Sequence, residues 1–380
     1  MVVGGGIAGA GVGWALARRG VPVTLLEAEA TLAHHTTGRS AAQYLETYGN
    51  ETVRRLTVAS RPFFADPPDE LVDGPLWSPR PMMTVGRADH VETLRRRAAE
   101  DAELVPSVHV VDGDGARRLC PVLVDEVAVA LVEPDALDLD VAAIHQAFVR
   151  AIRRAGGTIL TSHRVTALRR RAGVWHVEAG GTVLEADVVV DAAGAWCDEL
   201  ATRAGAAPVG IRPLRRTAAI VALPSGVDAT AWPLVAFEHG DGSMDGYMKP
   251  EPGGLLVSPA DETPSPPCDA RPEEIDVALA LERIMSWTTL QLRHVRSAWA
   301  GLRSFVADRT PVVGYDPAVP GFFWLAGQGG YGIQTAPALS RAAAGLLLDG
   351  ELPADLTERG IRAASLAPGR PGLDGDLVVG

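Results

Sequence analysis

The chain has few cysteines, no long apolar run and no excess of basic charge, and each absence removes a class of protein. Only Cys120, Cys197 and Cys268 occur among 380 residues. They are odd in number, widely spaced and outside any C-x-x-C or histidine-rich pattern, which argues against a disulfide framework or a metal site and for buried, reduced thiols. No apolar stretch approaches the roughly 18 residues that a membrane helix needs. The sequence also opens inside a strand pattern, so neither a transmembrane segment nor a signal peptide is expected, and the cytoplasm is the expected compartment. Lys and Arg total 35 against 47 Asp and Glu, a net charge of -12. Nucleic acid, which needs a basic stripe, is therefore excluded as a partner. With 47% hydrophobic and 22% charged residues there is ample material to bury and no bias to disorder. At this length two intertwined domains are expected rather than one simple core.

What is present is concentrated in the first thirty residues. Met1-Val2-Val3 runs into Gly4-Gly5-Gly6-Ile7-Ala8-Gly9-Ala10-Gly11, then an apolar helix, then a strand from Val21 to Glu27. Gly4, Gly6 and Gly9 fill the G-x-G-x-x-G pattern: the first for the tight turn, the second for close approach of a pyrophosphate, the third for packing of helix on strand. The unpaired amides and dipole of that helix favour an anion at its N-terminus. Glu27 follows roughly 20 residues past the glycines, where a carboxylate accepts from the hydroxyls of an adenosine ribose and repels a 2′-phosphate. A glycine turn alone is a common steric device. Here strand, glycines, helix, strand and acid follow in order, so a dinucleotide fold is expected.

Thr36 to Gly49 mixes small polar residues with a few large ones. That composition suits a segment passing along a ligand, with Gly38 allowing close approach and Arg39 available to an anion; a threonine-capped helix start is the alternative. Asn50 to Phe64 has helical apolar spacing and stops at Pro67-Pro68. Trp77 to Val85, Ser107 to Val111 and Glu126 to Glu133 read as strands around a charged helix from His90 to Ala102, the start of a sheet-rich domain. Asp138 to Ile152 repeats apolar residues at helical spacing, and short strands lead to Ala186-Asp187-Val188-Val189-Val190-Asp191, apolar enough to be central in a sheet. The small residues after it fit either backbone beside a ligand or plain helix packing. Val209 to Leu302 is again mostly strands, with a helix from Glu273 to Trp287. Gly327 to Thr335 opens a second glycine-rich helix, running to Leu348, that can present amides to another part of the same cofactor. The tail beyond Leu366 is expected to be mobile.

Five stretches carry a resemblance: Gly4 to Gly9 with Glu27, Thr36 to Ala42 (TTGRSAA), Asp191 to Trp196 (DAAGAW), Gly301 to Asp308 (GLRSFVAD) and Gly327 to Thr335 (GQGGYGIQT). Over nearly its whole length the chain resembles the D-amino-acid oxidase superfamily of flavoproteins, and within it FAD-dependent D-amino-acid dehydrogenases of the D-arginine dehydrogenase kind. The resemblance implies an α/β, two-domain flavoprotein. A doubly wound, Rossmann-like FAD-binding domain would come from residues 1–75, 138–205 and 301–366, a sheet-rich substrate domain from 76–137 and 206–300, and a tail from 367–380. FAD would be held without a covalent link. The implied cofactor residues are Gly4, Gly6, Ile7, Ala8, Gly9, Glu27 and Ala28 at the adenosine and pyrophosphate end, with backbone at Val165 meeting the adenine. Thr37, Arg39, Ser40 and Ala41 would line the flavin, and Gly194 and Trp196 would also touch the cofactor. Gly329, Gly332, Ile333, Gln334 and Thr335 would set a helix N-terminus near the pyrimidine ring. No metal ligand is implied.

The implied activity is oxidative deamination, in which Cα of a D-amino acid transfers hydride to flavin N5 and the imino acid hydrolyses to a 2-oxo acid and ammonia. Electrons would pass on to a quinone, an electron-transfer protein or O2, the one route by which membrane association would arise. Arg216 and Arg303 match the family's carboxylate-binding positions, a role suited to bidentate guanidinium forks. Arg215 reads better as a surface ion pair, since neighbours on a strand face opposite ways. Tyr48 and Tyr247 match tyrosines that close over the same end, or are plain core tyrosines, and the Gly330 carbonyl matches the acceptor of the substrate amine.

The chain departs from the arginine-specific pattern in the side-chain pocket. Met82 stands where a glutamate receives the guanidinium, Gln43 where a loop histidine stands, and Leu45 where a threonine stands. Losing that carboxylate should cost a basic substrate about 2 kcal/mol or more, and thioether and leucine favour apolar groups. A D-amino acid with an apolar or neutral side chain is therefore expected. The alternatives are a glycine- or sarcosine-type amine oxidase using O2, a 2-hydroxy-acid dehydrogenase on the same fold, and a flavin-binding scaffold without turnover.

Overall fold

The computed structural model describes residues 1–68, 71 and 74–378. Its first layer is a six-stranded sheet in the order Val312–Tyr315, Phe322–Ala326, Val189–Asp191, Val2–Val3, Thr24–Leu26, Thr158–Leu160. Neighbours run parallel except at the Val312–Tyr315 edge. Val2 pairs with Val190 on one side and Leu25 on the other. Burial on both faces is why these strands read as continuous apolar runs. Gly4, at φ 110°, then turns the chain out of the sheet after only two strand residues. This is the doubly wound α/β architecture that the opening motif predicts.

The helix Ile7–Ala17 packs between the helices Val141–Arg154 and Gly332–Leu348 and is buried on nearly every side. An apolar stripe on one face would not suffice, so the whole helix is apolar. Its glycines cost about 1 kcal/mol each in helix propensity, but close packing requires them. A β-carbon at Gly9 would lie 1.9 Å from the Gly4 carbonyl oxygen, and one at Gly11 2.3 Å from Ser340 Oγ. Trp14 fills the space beside them, its ring centre 4.9 Å from that of Phe148 and 5.5 Å from that of Phe63.

The second layer is a nine-stranded, mostly antiparallel sheet. Its path runs Thr263–Pro264, Arg212–Val221, Gly254–Ser258, Met244–Glu251, Leu234–Glu238, Met82–Gly86, Val129–Glu133, His109–Asp112, with Val295–Phe305 also paired to Arg212–Val221. Period-two alternation gives this sheet two different faces. Met83, Val85, Val235 and Phe237 enter a core shared with the helix Glu274–Trp287. Met82, Thr84, Leu234, Ala236, Arg216 and Ala218 point the other way, into a cleft. Arg215 pairs with Glu273 and, at 2.9 Å, with Asp276 at the start of that helix, as strand alternation predicts. Gln43–Tyr44, Leu137–Leu139 and Trp77–Pro79 form a small third sheet, and Val165–Arg171, Val174–Ala179 and Thr182–Ala186 a meander.

Several boundaries differ from those read in the sequence. The helix expected from Asp138 begins at Val141, because Leu137–Leu139 is claimed by strand pairing and the Asp140 side chain caps Ala143 N. Helices Gly113–Leu119 and Cys197–Ala204 lie where none is expected. The tail, expected to be mobile, is tied down: Arg370 pairs with Asp308 at 2.7 Å, Val378 N donates to Ala307 O at 2.9 Å and Leu373 is buried. Residues 379 and 380 of that tail, and 69, 70, 72 and 73 of the first stretch, lie outside the described residues. The three cysteines are free thiols, Cys120 and Cys197 buried and Cys268 half-buried. Among the described residues no helix is long and apolar enough to cross a membrane.

The Gly9 contact is testable. Gly9→Ala should destabilise the fold by about 2 kcal/mol through overpacking, read as a lower melting temperature in circular dichroism; an unchanged melting curve would contradict the packing.

Candidate active site

Two clefts open beside the carboxyl ends of the parallel strands, the place where doubly wound folds bind ligands, and the second of them is walled by the nine-stranded sheet. Their empty space, counted out into the open solvent at the mouth, is about 910 and 1370 Å³, and Thr36 and Thr37 line both.

The first cleft is built from the turns after Val2–Val3, Thr24–Leu26 and Val189–Asp191. Gly4, Gly6, Glu27, Ala28, Val165, Gly194 and Trp196 all line it. Two backbone donors fix the Glu27 carboxylate, Gly5 N on Oε2 and Glu29 N on Oε1, both at 2.8 Å; each oxygen keeps a further acceptor direction. The helix Ile7–Ala17 has no side-chain cap and no acid in its first turn, and Ile7 N finds the Thr37 hydroxyl at 3.0 Å. A positive helix end with no acid in its first turn, next to a fixed acid at a strand end, fits a dinucleotide. Ala8 and Gly9, expected to touch the cofactor, line neither cleft. Gly9 is committed to packing against Gly4. At the rim, Glu29, His34 and His35 each bring one ligand-type atom within 4.8 Å of the others, a grouping that their sequence spacing does not announce.

The second cleft has Ile7, Thr37, Arg39, Ser40, Ala41 and Gln43 on one wall, and Gly329, Gly330, Gly332, Ile333 and Gln334 at the start of the helix Gly332–Leu348. Leu45, Tyr48, Met82, Arg216, Tyr247 and Arg303 line the same cleft. The expectations for Arg39 and Thr335 need correction here, whereas Gln334 lines the cleft with its side-chain amide committed elsewhere. Arg39 is not free for an anion: it donates to Ala270 O at 2.7 Å and Ala300 O at 3.1 Å and pairs with Asp269. The Gln334 amide turns away from the helix end, accepting from Leu45 N at 3.2 Å and donating to Leu45 O at 3.1 Å and Thr57 Oγ1 at 2.9 Å. Thr335 is fully buried and lines neither cleft, its hydroxyl donating to Tyr331 O one turn back at 2.8 Å. Gln43 donates to Arg80 O at 2.8 Å, while its buried Oε1 has no partner among the described residues.

Arg303 is only 8% exposed and lies against Gly330, where a β-carbon would come 2.0 Å from its Nη2. Its Nη1 donates to Glu262 Oε1 at 2.8 Å and its Nη2 to the Tyr48 hydroxyl. Arg216 donates through Nε to Asp261 O at 2.7 Å and through Nη2 to Glu262 Oε1 at 3.4 Å, with the Tyr247 ring centre 6.0 Å from its guanidinium carbon. Arg309 takes Glu262 Oε2 at 2.5 Å. Burial works to raise the Glu262 carboxyl, but the Arg309 hydrogen bond and the charges of Arg303, Arg309 and Arg216 hold it below the usual carboxylate range. Sequence reasoning missed Glu262, since an Asp-Glu pair carries no signal in an acid-rich chain. Arg309 was missed too, although it directly follows the GLRSFVAD stretch.

Leu45, Met82, Leu234 and Ala236 form an apolar patch edged by Tyr48 and Tyr247. Glu133, paired in register with Met82, accepts from Glu46 N and Thr47 Oγ1, both at 2.6 Å, and so holds the loop that carries Tyr48. Burial pushes its carboxyl up to about 7.

Fold and clefts together define a dinucleotide-binding protein of the doubly wound class. The sequence model of the DAO family, FAD dependent oxidoreductases, matches residues 1–346, and the chain belongs to that family. FAD is accordingly its cofactor. The FAD-dependent oxidoreductase domain-containing protein 1 of Bos taurus is 32% identical over 192 residues, 44% of this chain and 37% of that protein, so the chain spans little more than a third of that curated relative's length. Among solved structures, L-proline dehydrogenase from P. horikoshii is similar with a TM-score of 0.84 at 20% identity, covering 99% of this chain and 98% of that one. Glycine oxidase from Geobacillus kaustophilus is similar with a TM-score of 0.80 at 21% identity, covering 93% and 95%. Both are likenesses of fold.

Asp191, at the foot of the DAAGAW turn, gives the site a pH signature. Burial, only partly offset by the Ala193 amide and the Cys197 thiol, pushes its carboxyl from the ordinary 3.8 up to about 8. The native state therefore holds an extra proton between those values, and stability falls as pH rises through that window. The melting temperature should fall between about pH 5 and pH 8, with Glu133 contributing in the same direction below about 7. Asp191→Asn should flatten that fall in differential scanning calorimetry, and a variant curve parallel to the wild type would contradict the buried proton.

Proposed function

We propose that the chain oxidises a D-amino acid with an apolar or neutral side chain to an imino acid, which water hydrolyses to a 2-oxo acid and ammonia. On this reading residues 1–75, 138–205 and 301–366 hold FAD, and residues 76–137 and 206–300 hold the substrate. The observation that carries it is the buried Arg303 against Gly330, with Arg216 nearby and an apolar patch on the same cleft. The D configuration is supported by the likeness of the motif stretches to D-amino-acid dehydrogenases.

FAD, when bound, supplies the acceptor for the hydride released at Cα. Gly4, Gly6, Ile7, Glu27, Ala28, Val165, Gly194 and Trp196 would hold its adenosine and pyrophosphate; Thr37, Ser40, Ala41, Gly329, Gly332 and Ile333 would line the flavin. Arg303 and Arg216 take the substrate carboxylate through the donors that Glu262 and Asp261 leave free. The Gly330 carbonyl accepts from the substrate amine. Fixing both groups leaves the Cα–H bond one orientation, which is the main contribution a protein makes to such a transfer. Tyr48 and Tyr247 close the carboxylate end against water. Leu45, Met82, Leu234 and Ala236 receive the side chain, and Met82 in place of a guanidinium-pairing glutamate supports a neutral one. Electrons leave to a quinone, an electron-transfer protein or O2.

Anaerobic bleaching of the bound flavin tests the substrate. D-Leucine, D-methionine or D-phenylalanine should exceed D-arginine in kcat/KM by about 30-fold, the ratio that about 2 kcal/mol implies. A preference for D-arginine, glycine, sarcosine or L-proline would overturn the assignment. Arg303→Ala should raise KM by about 100-fold, and a wild-type KM would remove the carboxylate role.

A further inference from the structure

We propose that Glu262 is a positioning residue that aims Arg216 and Arg303 into the second cleft; the inference rests on reading that cleft as a carboxylate site. Three guanidinium groups converge on this one carboxylate: Arg303 at 2.8 Å, Arg309 at 2.5 Å and Arg216 at 3.4 Å. Without it, like charges would repel one another and Arg303 would be a buried cation without its anion, a strongly unfavourable state. Arg216 and Arg303 line the cleft whereas Glu262 does not. Glu262 thus takes the two groups from behind, leaving their remaining N–H donors for a ligand.

The placement of Glu262 is itself fixed. The preceding residue, Asp261, accepts from Thr217 N at 2.7 Å and from Thr217 Oγ1 at 3.0 Å, and the following strand Thr263–Pro264 pairs with Leu214 and Arg215. On the far side Arg309 is tethered through Nε to Val378 O at 2.7 Å. A carboxylate anchored to the sheet on one side and to the C-terminal segment on the other is not a swinging surface acid. Even with the neighbouring Asp261 carboxylate counted beside Glu262, three guanidinium groups leave the cluster positive, so a ligand carboxylate is still attracted.

The test titrates the oxidised FAD holoenzyme with benzoate, a carboxylate that offers no Cα–H to oxidise, and follows the visible flavin spectrum. Glu262→Ala should weaken benzoate binding about 10-fold or more, and raise substrate KM by more than it lowers kcat, as expected when an aligned charged hydrogen-bond network is broken. Glu262→Asp should recover most of the affinity. Flavin content and melting temperature report whether each variant folds, and if Glu262→Ala does not, the near-isosteric Glu262→Gln carries the test with a smaller loss in the same direction. Unchanged benzoate affinity in the alanine and glutamine variants would reduce Glu262 to a surface ion pair. Tighter binding would make it a competitor for the arginines. Either result overturns the inference while leaving the carboxylate site standing. If wild type and Arg303→Ala bind benzoate equally, or neither binds it, the carboxylate site is wrong and the inference falls with it.

Discussion

A guanidinium as buried as Arg303 must be matched by an anion held in place, because an ion removed from water loses several kcal/mol unless a partner and hydrogen bonds replace the solvent. Much of the second layer follows from that constraint. Strands Arg212–Val221 and Val295–Phe305 pair over their whole length, Leu214 opposite Arg303 and Arg216 opposite Gly301. The two arginines are therefore diagonal neighbours on one face. The same strand continues to Ser304, which bridges to Gly329 and accepts from Gly329 N at 2.8 Å. A single antiparallel pair thus delivers both cations to the glycine turn that opens the last long helix.

The cofactor side obeys a different rule, close approach rather than charge pairing. Val2–Val3 can sit between Val189–Asp191 and Thr24–Leu26 only if the helix that follows lies down on the sheet at once, and Gly9 against Gly4 makes this possible. The turns after these three strands then open toward one space. Glu27 is locked there by the amides of Gly5 and Glu29, so its orientation is set by backbone rather than by rotamer choice.

Much of this was legible in the sequence, and the rest was hidden for physical reasons. The glycine turns, the acid after the second strand and the central apolar strand are local signals, and the fold class follows from them. The opposite facing of Arg215 and Arg216 is a one-residue periodicity argument, and the ion pairs of Arg215 agree with it. What escaped depends on residues far apart in the chain. Glu262 meets Arg303 and Arg309 across 41 and 47 positions, and Arg39 is diverted to Ala270 across 231; neither contact leaves a trace in local composition. Leu234 and Ala236 alternate as any strand does, so only the second cleft shows why those faces matter. Boundaries failed where a strand pair or a capping aspartate outweighed apolar spacing, as at Asp140.

The Gln334 amide has a mechanical consequence. It grips both backbone groups of Leu45 and the Thr57 hydroxyl from within the first turn of the last long helix. Leu45 belongs to the apolar patch, and Gly332 and Ile333 line the same cavity, so the patch is bolted to the start of that helix. The segment around Leu45 cannot swing as an independent flap. Any adjustment there drags the helix start with it, so widening the hole for a bulkier guest would be felt at the glycine turn as well.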